Sequence, residues 1–258
     1  VAQRKAPRPG SRAAAALSGR RRRLAALARG AAFVVPLLPP TTCHVSVLVP
    51  AGLFVLLALS LDLLLGFTGY LSLAHHGLWA VGAYTTALLT TSHGLGVWPA
   101  LAAAPLVAGG VAAALAVPAF RVRGHYFALV TLAMGELIRI TLLNWVPVTQ
   151  GPFGVTGIPR PALPGLGVLD GRLSYYYLVL AAVVVVLAAV IRVLGSPLGR
   201  SLVAVREDEE LAEAQGLWLM PYKVVAFACS GAIAGLAGGL VASYQGVIGP
   251  DNFTIPDM

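Results

Sequence analysis

From Leu63 to Phe120 the chain carries no Asp, Glu, Lys or Arg. A water-soluble domain cannot leave so long a stretch uncharged, because charged residues make up about a quarter of an average soluble chain. Uncharged runs recur at Leu173–Ile191 and Val224–Ile248, and Trp98–Phe120 is a further view of the first. Each is close to the ~20 residues a helix needs to cross about 30 Å of hydrocarbon. Apolar residues make up 58% of the 258 positions and charged residues 11%, with a mean hydropathy of +0.82. The fold class that follows is all-α, a polytopic integral membrane helix bundle.

Seven spans are predicted, at 24–42, 46–66, 76–92, 98–118, 124–145, 174–194 and 222–246. The first is the weakest pattern, since it holds Arg29 and is broken by Pro36, Pro39 and Pro40. Basic residues alternate between the loops. Arg4, Lys5, Arg8, Arg12 and Arg20–Arg23 precede the first span; Arg121 and Arg123, then Arg192, Arg200, Arg206 and Lys223, fall in loops of the same side. The opposite loops hold Arg160 and Arg172. Basic loops stay in the cytoplasm, which places the N-terminus inside and residue 258 outside. Residues 1–23 read as a basic cytoplasmic arm, disordered in character, and 24–258 as the transmembrane domain. A signal peptide would need a small-residue cleavage site after the apolar run, and none stands out. The formal net charge of +8 records orientation and contact with anionic lipid, so no nucleic-acid partner is expected.

Residues 66–77 read GFTGYLSLAHHG. Gly66, Gly69, Ser72 and His75 interrupt an apolar stretch, either as a plain cytoplasmic loop or as a broken, re-entrant helix of the kind that lines transport paths. Adjacent histidines point to different faces of a helix, so His75–His76 is not read as a metal site. Glu136 and Arg139 stand three apart on one face of an otherwise apolar span. Ionisable groups at that depth mark a functional site by default; an ion pair that locks helix packing is the competing explanation. Asp62 is a lone carboxylate in the second span. TQGPFGVTGIPRP, 149–161, is an outer loop of several turns, suited either to docking an external partner or simply to reversing the chain.

Residues 195–221 form the long polar stretch on the cytoplasmic side. Ser196-Pro197 is a helix start, with Leu198, Leu202 and Val205 on one face. Asp208 starts a second helix, Glu209–Gln215, which Gly216 stops. One apolar face on a short helix suits docking into a soluble partner; the acidic cluster 207–210 argues against rest on anionic lipid. Gly231, Gly235 and Gly239 repeat every four residues in the last span, a pattern for close helix packing. Cys43 and Cys229 make no disulfide framework, and Cys229 reads as a small packing residue. No Walker, Rossmann or Ser/His/Asp pattern is present. Enzymatic activity, a cofactor and a metal set are therefore not expected.

These segments resemble the LivM-type permease subunits of branched-chain amino-acid ABC importers, from about Leu59 to Thr254. ALSLDLLLGFTGYLSLAHHGLWAVGAYTTALL is similar to the family's first motif block. RVRGHYFALVTLAMGELIRITLLNW with TQGPFGVTGIPRP is similar to the second. SPLGRSLVAVREDEELAEAQG, PYKVVAFACSGAIAGLAGGL and GPDNFTI are similar to the third. The resemblance implies a translocation path shared with a second permease subunit. It also implies two cytoplasmic ATP-binding subunits, a periplasmic or lipid-anchored solute-binding protein, and a home in the bacterial inner membrane. It further implies that 195–221 is a coupling loop, with Arg200, Arg206, Glu213, Ala214 and Gly216 meeting the ATPase; Gly66, Gly69, Ser72, His75, Glu136 and Arg139, singled out above from the residues themselves, are the candidates for lining the path. Asp62 stands where the family usually has Asn, and His76 replaces a commoner small residue. The family pattern continues beyond PDNFTIPDM, so a truncated, non-transporting subunit is one alternative. An ATP-independent secondary transporter with Glu136 or Asp62 as proton site is another.

Overall fold

The computed structural model describes residues 42–122, 124–163, 167–168 and 171–253. The first expected span, 24–42, lies outside the described residues except for its last position, and so does the basic arm. In chain order the helices are α1 (Thr42–Thr68), α2 (His75–Thr91), α3 (Val97–Ala119), α4 (His125–Asn144), α5 (Val146–Thr149), α6 (Arg172–Gly195), α7 (Pro197–Glu207), α8 (Glu209–Ala214) and α9 (Leu219–Gln245). Apart from the first turns of α1, all belong to the second of the chain's two units, Val1–Ser46 and Val47–Met258.

The six long helices fall on the six expected spans from 46 onward. Five of them, α1, α3, α4, α6 and α9, are long and apolar enough to cross a membrane. The exception is α2. Its 17 residues rise about 25 Å at 1.5 Å per residue, short of the ~30 Å hydrocarbon core. The preceding residues 69–73 are not helical, and they supply the missing depth.

The core is built on α9, which small residues allow to sit between α2 and α3. Ala104, Ala108 and Ala112 of α3 are each 0% exposed. They meet Gly231 and Gly235, where a Cβ would fall onto the Ala112 and Ala108 methyls. A Cβ on Gly239 would lie 2.6 Å from Thr86 Oγ1 of α2. On the flank toward α2, Gly82 rests on the Gly235 backbone and Gly238 on the Trp79 carbonyl, each without room for a methyl group. In hydrocarbon no hydrophobic force joins helices, so close backbone approach and dispersion do. Among the five helices long enough to span, α9 is accordingly the most buried, and α4 and α6 are the least. Tyr175 tethers α6 to this core by donating its hydroxyl to the Leu240 carbonyl at 2.5 Å. Cys229 is a correction to the sequence reading: it is exposed, on the face of α9 that neither α2 nor α3 covers.

The loops sort to two ends. One end gathers the α1–α2 break, the turn after α3, α7, α8 and the start of α9; Tyr70 there packs edge-on against Phe120 and Phe127. At the other end β1 (Val155–Thr156) pairs antiparallel with the later strand Val247–Ile248, Val155 opposite Ile248. A second small hairpin joins β2 (Ala162–Leu163) to β3 (Gly167–Val168), which makes Val247–Ile248 β4. The Trp98 indole donates to the Ala162 carbonyl at 2.6 Å, and Phe253 is buried edge-on against Trp79. Arg121, Arg200, Arg206 and Lys223 thus share one end and Arg160 stands at the opposite one, as their alternation along the sequence requires.

The helix starts read from the sequence are present. Ser196 Oγ accepts from the Gly199 amide at 3.4 Å and Asp208 Oδ1 from the Leu211 amide at 3.0 Å. Leu202 and Val205 form the buried face of α7.

The glycine contacts predict opposite responses to one methyl group. Gly82→Ala drives a Cβ into the Gly235 backbone and is expected to cost 1–3 kcal/mol, roughly, or more, as overpacking does. Gly110→Ala meets nothing within 4 Å and gains helix propensity of about 0.5–1 kcal/mol. Thermal unfolding of the detergent-solubilised chain separates the two.

Candidate functional site

The site begins where helix geometry fails. After α1, Gly69 adopts φ +77°, a left-handed conformation that costs other L-residues about 1–2 kcal/mol. The chain then runs non-helically to Ala74. Its amides and carbonyls need partners at this depth, and neighbouring side chains supply them. The Leu73 amide donates to Thr131 Oγ1 of α4 at 3.0 Å, and the Ala74 amide to Ser72 Oγ at 3.3 Å. The Ser72 and Leu73 carbonyls face Nδ1 of His75 and of His76, at 3.2 and 2.8 Å.

Depth follows from the pairing of helices. His75 Nε2 lies 2.7 Å from Ser230 Oγ of α9, whereas Tyr70 meets Lys223, seven residues earlier on the same helix. At 1.5 Å per residue this is about 10 Å along the axis. The segment from Tyr70 to His75 therefore climbs back into the bundle before α2 begins. It is re-entrant, with the N-terminus of a short helix inside the protein.

His75 is 4% exposed and Ser230 is 1%. A carbonyl only accepts, so a neutral His75 ring carries its proton on Nδ1, toward Ser72, and presents Nε2 as an acceptor 2.7 Å from the Ser230 hydroxyl, whose one hydrogen also has the Ser60 carbonyl within reach at 2.7 Å. Ser60 of α1 completes the cluster by donating to the Ser230 carbonyl at 2.8 Å. Three helices thus share one polar knot. His76 turns the other way, onto α4, where its ring occupies the space a Gly135 side chain would need. Its Nδ1 donates to Leu73, and Nε2, an acceptor in that tautomer, has no hydrogen-bond partner among the described residues. A cavity of 470 Å³ opens beside the two histidines. Its walls are Phe54, Leu57, Ala58 and Leu61 of α1 and Leu132 of α4, with Ser72, His75 and His76 as the polar floor.

Glu136 and Arg139 stand past the midpoint of α4. Arg139 Nε donates to both carboxylate oxygens, at 2.9 and 3.1 Å, and Nη2 to Oε1 at 2.5 Å. Their side chains remain 37% and 21% exposed, on a helix that this chain covers sparsely. Asp62 is exposed on α1, and its Oδ1 lies where a Gly66 side chain would project.

The coupling residues named from the sequence lie at the other extremity of the site. Arg200, Glu213, Ala214 and Gly216 are exposed; Gly216 ends α8 at φ +84°, with its amide on the Glu213 carbonyl. Arg206 reaches back and donates from Nη1 to the Gly66 carbonyl at 2.6 Å. Gly66 and Gly69 thus sit at the foot of the break, Ser72 and His75 at its top, and Glu136 and Arg139 on the flanking helix. Sequence reasoning passed over Ser60, Thr131, Ser230 and the ion pair of Lys223 with Glu209 at 2.6 Å. Each is a polar residue within or beside an apolar run, which is a signal, but hydroxyls that bond their own helix produce the same signal.

Removing one hydroxyl from the knot tests this geometry. Ser230→Ala leaves the buried imidazole nitrogen and the Ser60 carbonyl without the hydroxyl they share, and Thr131→Val leaves the Leu73 amide without its acceptor. Each is expected to cost about 1–3 kcal/mol in thermal unfolding, whereas Thr131→Ser retains the bond.

Residues 44–256 match the sequence model of a family described as "Branched-chain amino acid transport system / permease component". The chain is 40% identical over 227 residues to the "High-affinity branched-chain amino acid transport system permease protein LivM" of Salmonella typhimurium, and likewise to that of Escherichia coli. Each alignment covers 80% of this chain and 53% of the relative, so the chain spans about half the length of the curated relatives it matches. No solved structure matches.

Proposed function

We propose that this chain, which belongs to the permease family of branched-chain amino acid transport systems, is a non-catalytic transmembrane subunit of a bacterial ABC importer for branched-chain amino acids. It is a multi-pass membrane protein, and the further reading places it in the inner membrane with its N-terminus in the cytoplasm. A second permease subunit shares the path, two ATP-binding subunits dock on the α7–α8 end, and a solute-binding protein docks on the end that carries β1 and β4.

The observation that carries this reading is the re-entrant segment 69–74 with α7 bonded to its foot. A two-state gate needs an element with two arrangements and a handle on it. The break supplies the first, and Arg206 on the Gly66 carbonyl begins the second. The cavity beside Ser72 and His75 has aliphatic walls for an aliphatic side chain and a polar floor for the charged end. The Glu136–Arg139 pair cannot face hydrocarbon without penalty, so α4 is read as facing the second permease and the path.

Gly216 tests the coupling. Its φ of +84° strains a β-branched replacement by about 1–2 kcal/mol, which cuts the correctly ended loop roughly tenfold. Gly216→Val is therefore expected to lower binding-protein-stimulated ATP hydrolysis in the assembled complex, while Gly216→Asn, tolerant of this conformation, retains it. A maleimide applied from the cytoplasmic side is expected to label Glu213→Cys in sealed vesicles. Unchanged coupling in Gly216→Val, or labelling only from outside, contradicts the assignment.

A further inference from the structure

We propose that Tyr70, Glu209 and Lys223 form a latch that makes the cytoplasmic helices, the helix break and the foot of α9 move as one body; this rests on the importer reading above. Glu209 is the first residue of α8, Lys223 lies in the second turn of α9, and Tyr70 follows the left-handed Gly69 in the break. Lys223 is 6% exposed. Its ammonium lies 2.6 Å from Glu209 Oε1 and donates to the Tyr70 hydroxyl at 2.9 Å. The Tyr70 hydroxyl in turn donates to Glu209 Oε1 at 2.5 Å. The same ammonium stands 4.9 Å from the centre of the Tyr70 ring.

These contacts fix what can move alone. Withdrawing Glu209 from a buried ammonium strands a charge, which is strongly destabilising where simple loss of a surface pair is not. The Tyr70 hydroxyl, accepting from the ammonium at 2.9 Å, gives Lys223 a second partner away from water. A pull on α8 therefore drags Tyr70 and the start of α9 with it. Five residues beyond Tyr70 stands His75, bonded to Ser230 on that same α9. With Arg206 of α7 on the Gly66 carbonyl, the cytoplasmic helices grip the break on both sides of Gly69. Tyr70, Glu209 and Lys223 are positioning residues in this scheme, and none of them needs to touch the solute.

The test uses the full importer reconstituted with its ATPases and binding protein, comparing Tyr70→Phe, Glu209→Gln and Lys223→Met with the unaltered chain. Basal ATP hydrolysis, its stimulation by leucine-loaded binding protein, and leucine uptake are read in parallel. Losing a charge-assisted bond is expected to lower stimulation and uptake roughly tenfold while basal hydrolysis stays within about twofold. Lys223→Arg and the exchanged pair Glu209→Lys with Lys223→Glu are expected to recover part of the stimulation. Tyr70→Phe keeps the ring against Phe120 and Phe127, so it decides the matter if a charge variant fails to assemble. Full stimulation in the assembled Tyr70→Phe complex, or an exchanged pair no better than the worse of Glu209→Gln and Lys223→Met, overturns the latch alone. An unaltered chain that recruits no ATPase, or shows no stimulation, overturns the importer reading and the latch with it.

Discussion

A polypeptide that leaves helical geometry inside a bilayer must find protein partners for every amide and carbonyl it frees. The upper part of the break, Ser72 to Ala74, finds such partners in its surroundings: Thr131 of α4 takes the Leu73 amide, Ser72 takes that of Ala74, and the two histidine rings meet the Ser72 and Leu73 carbonyls. Much of the remaining architecture follows from keeping those partners in place. Thr131 serves only if α4 lies against the break, and Gly135 lets it do so by making room for the His76 ring. His75 serves only if α9 brings Ser230 to it and α1 brings Ser60.

The packing of α9 against α2 and α3 supplies the fixed frame. Glycine and alanine on both flanks bring backbones so close that a methyl group has no room at Gly82, Gly235 or Gly238. Such an interface has one register, because sliding by a residue would set side chains against these gaps. The polar knot at Ser230 and the ion pair at Lys223 therefore hold a constant separation along α9. In contrast α4 and α6 are sparsely covered by the chain. The charged pair on α4 lies on this less constrained side, where a membrane protein presents surface to lipid, to a water-filled path or to another subunit.

Much of the architecture was legible in the residue order. Long apolar runs, uncharged in four cases and holding Asp62 or the Glu136–Arg139 pair in the other two, located the six long helices, and the alternation of basic loops matches the two ends. Ser196, Asp208 and Gly216 marked the ends of α7 and α8 because capping is local chemistry, decided within three or four residues. The interruption at 66–77 was visible as glycine and polar residues within an apolar stretch. Its form as a plain loop or a re-entrant segment was not, since either satisfies the same composition.

Residue order fixed what depends on neighbours in the chain: which stretches are too apolar for water, where helices start and stop, and where one breaks. It could not say which hydroxyl would meet which ring. Ser60 and Ser230 are separated by 170 positions, and nothing local distinguishes them from serines that bond their own helix. Lys223 looked like one more cytoplasmic charge until the fold buried it between Tyr70 and Glu209. Cys229 looked like a packing residue until the turn of α9 set it outside. These assignments rest on the rotation and depth of one helix against another. Steric fit between distant segments sets both, so they exist only once the bundle has formed.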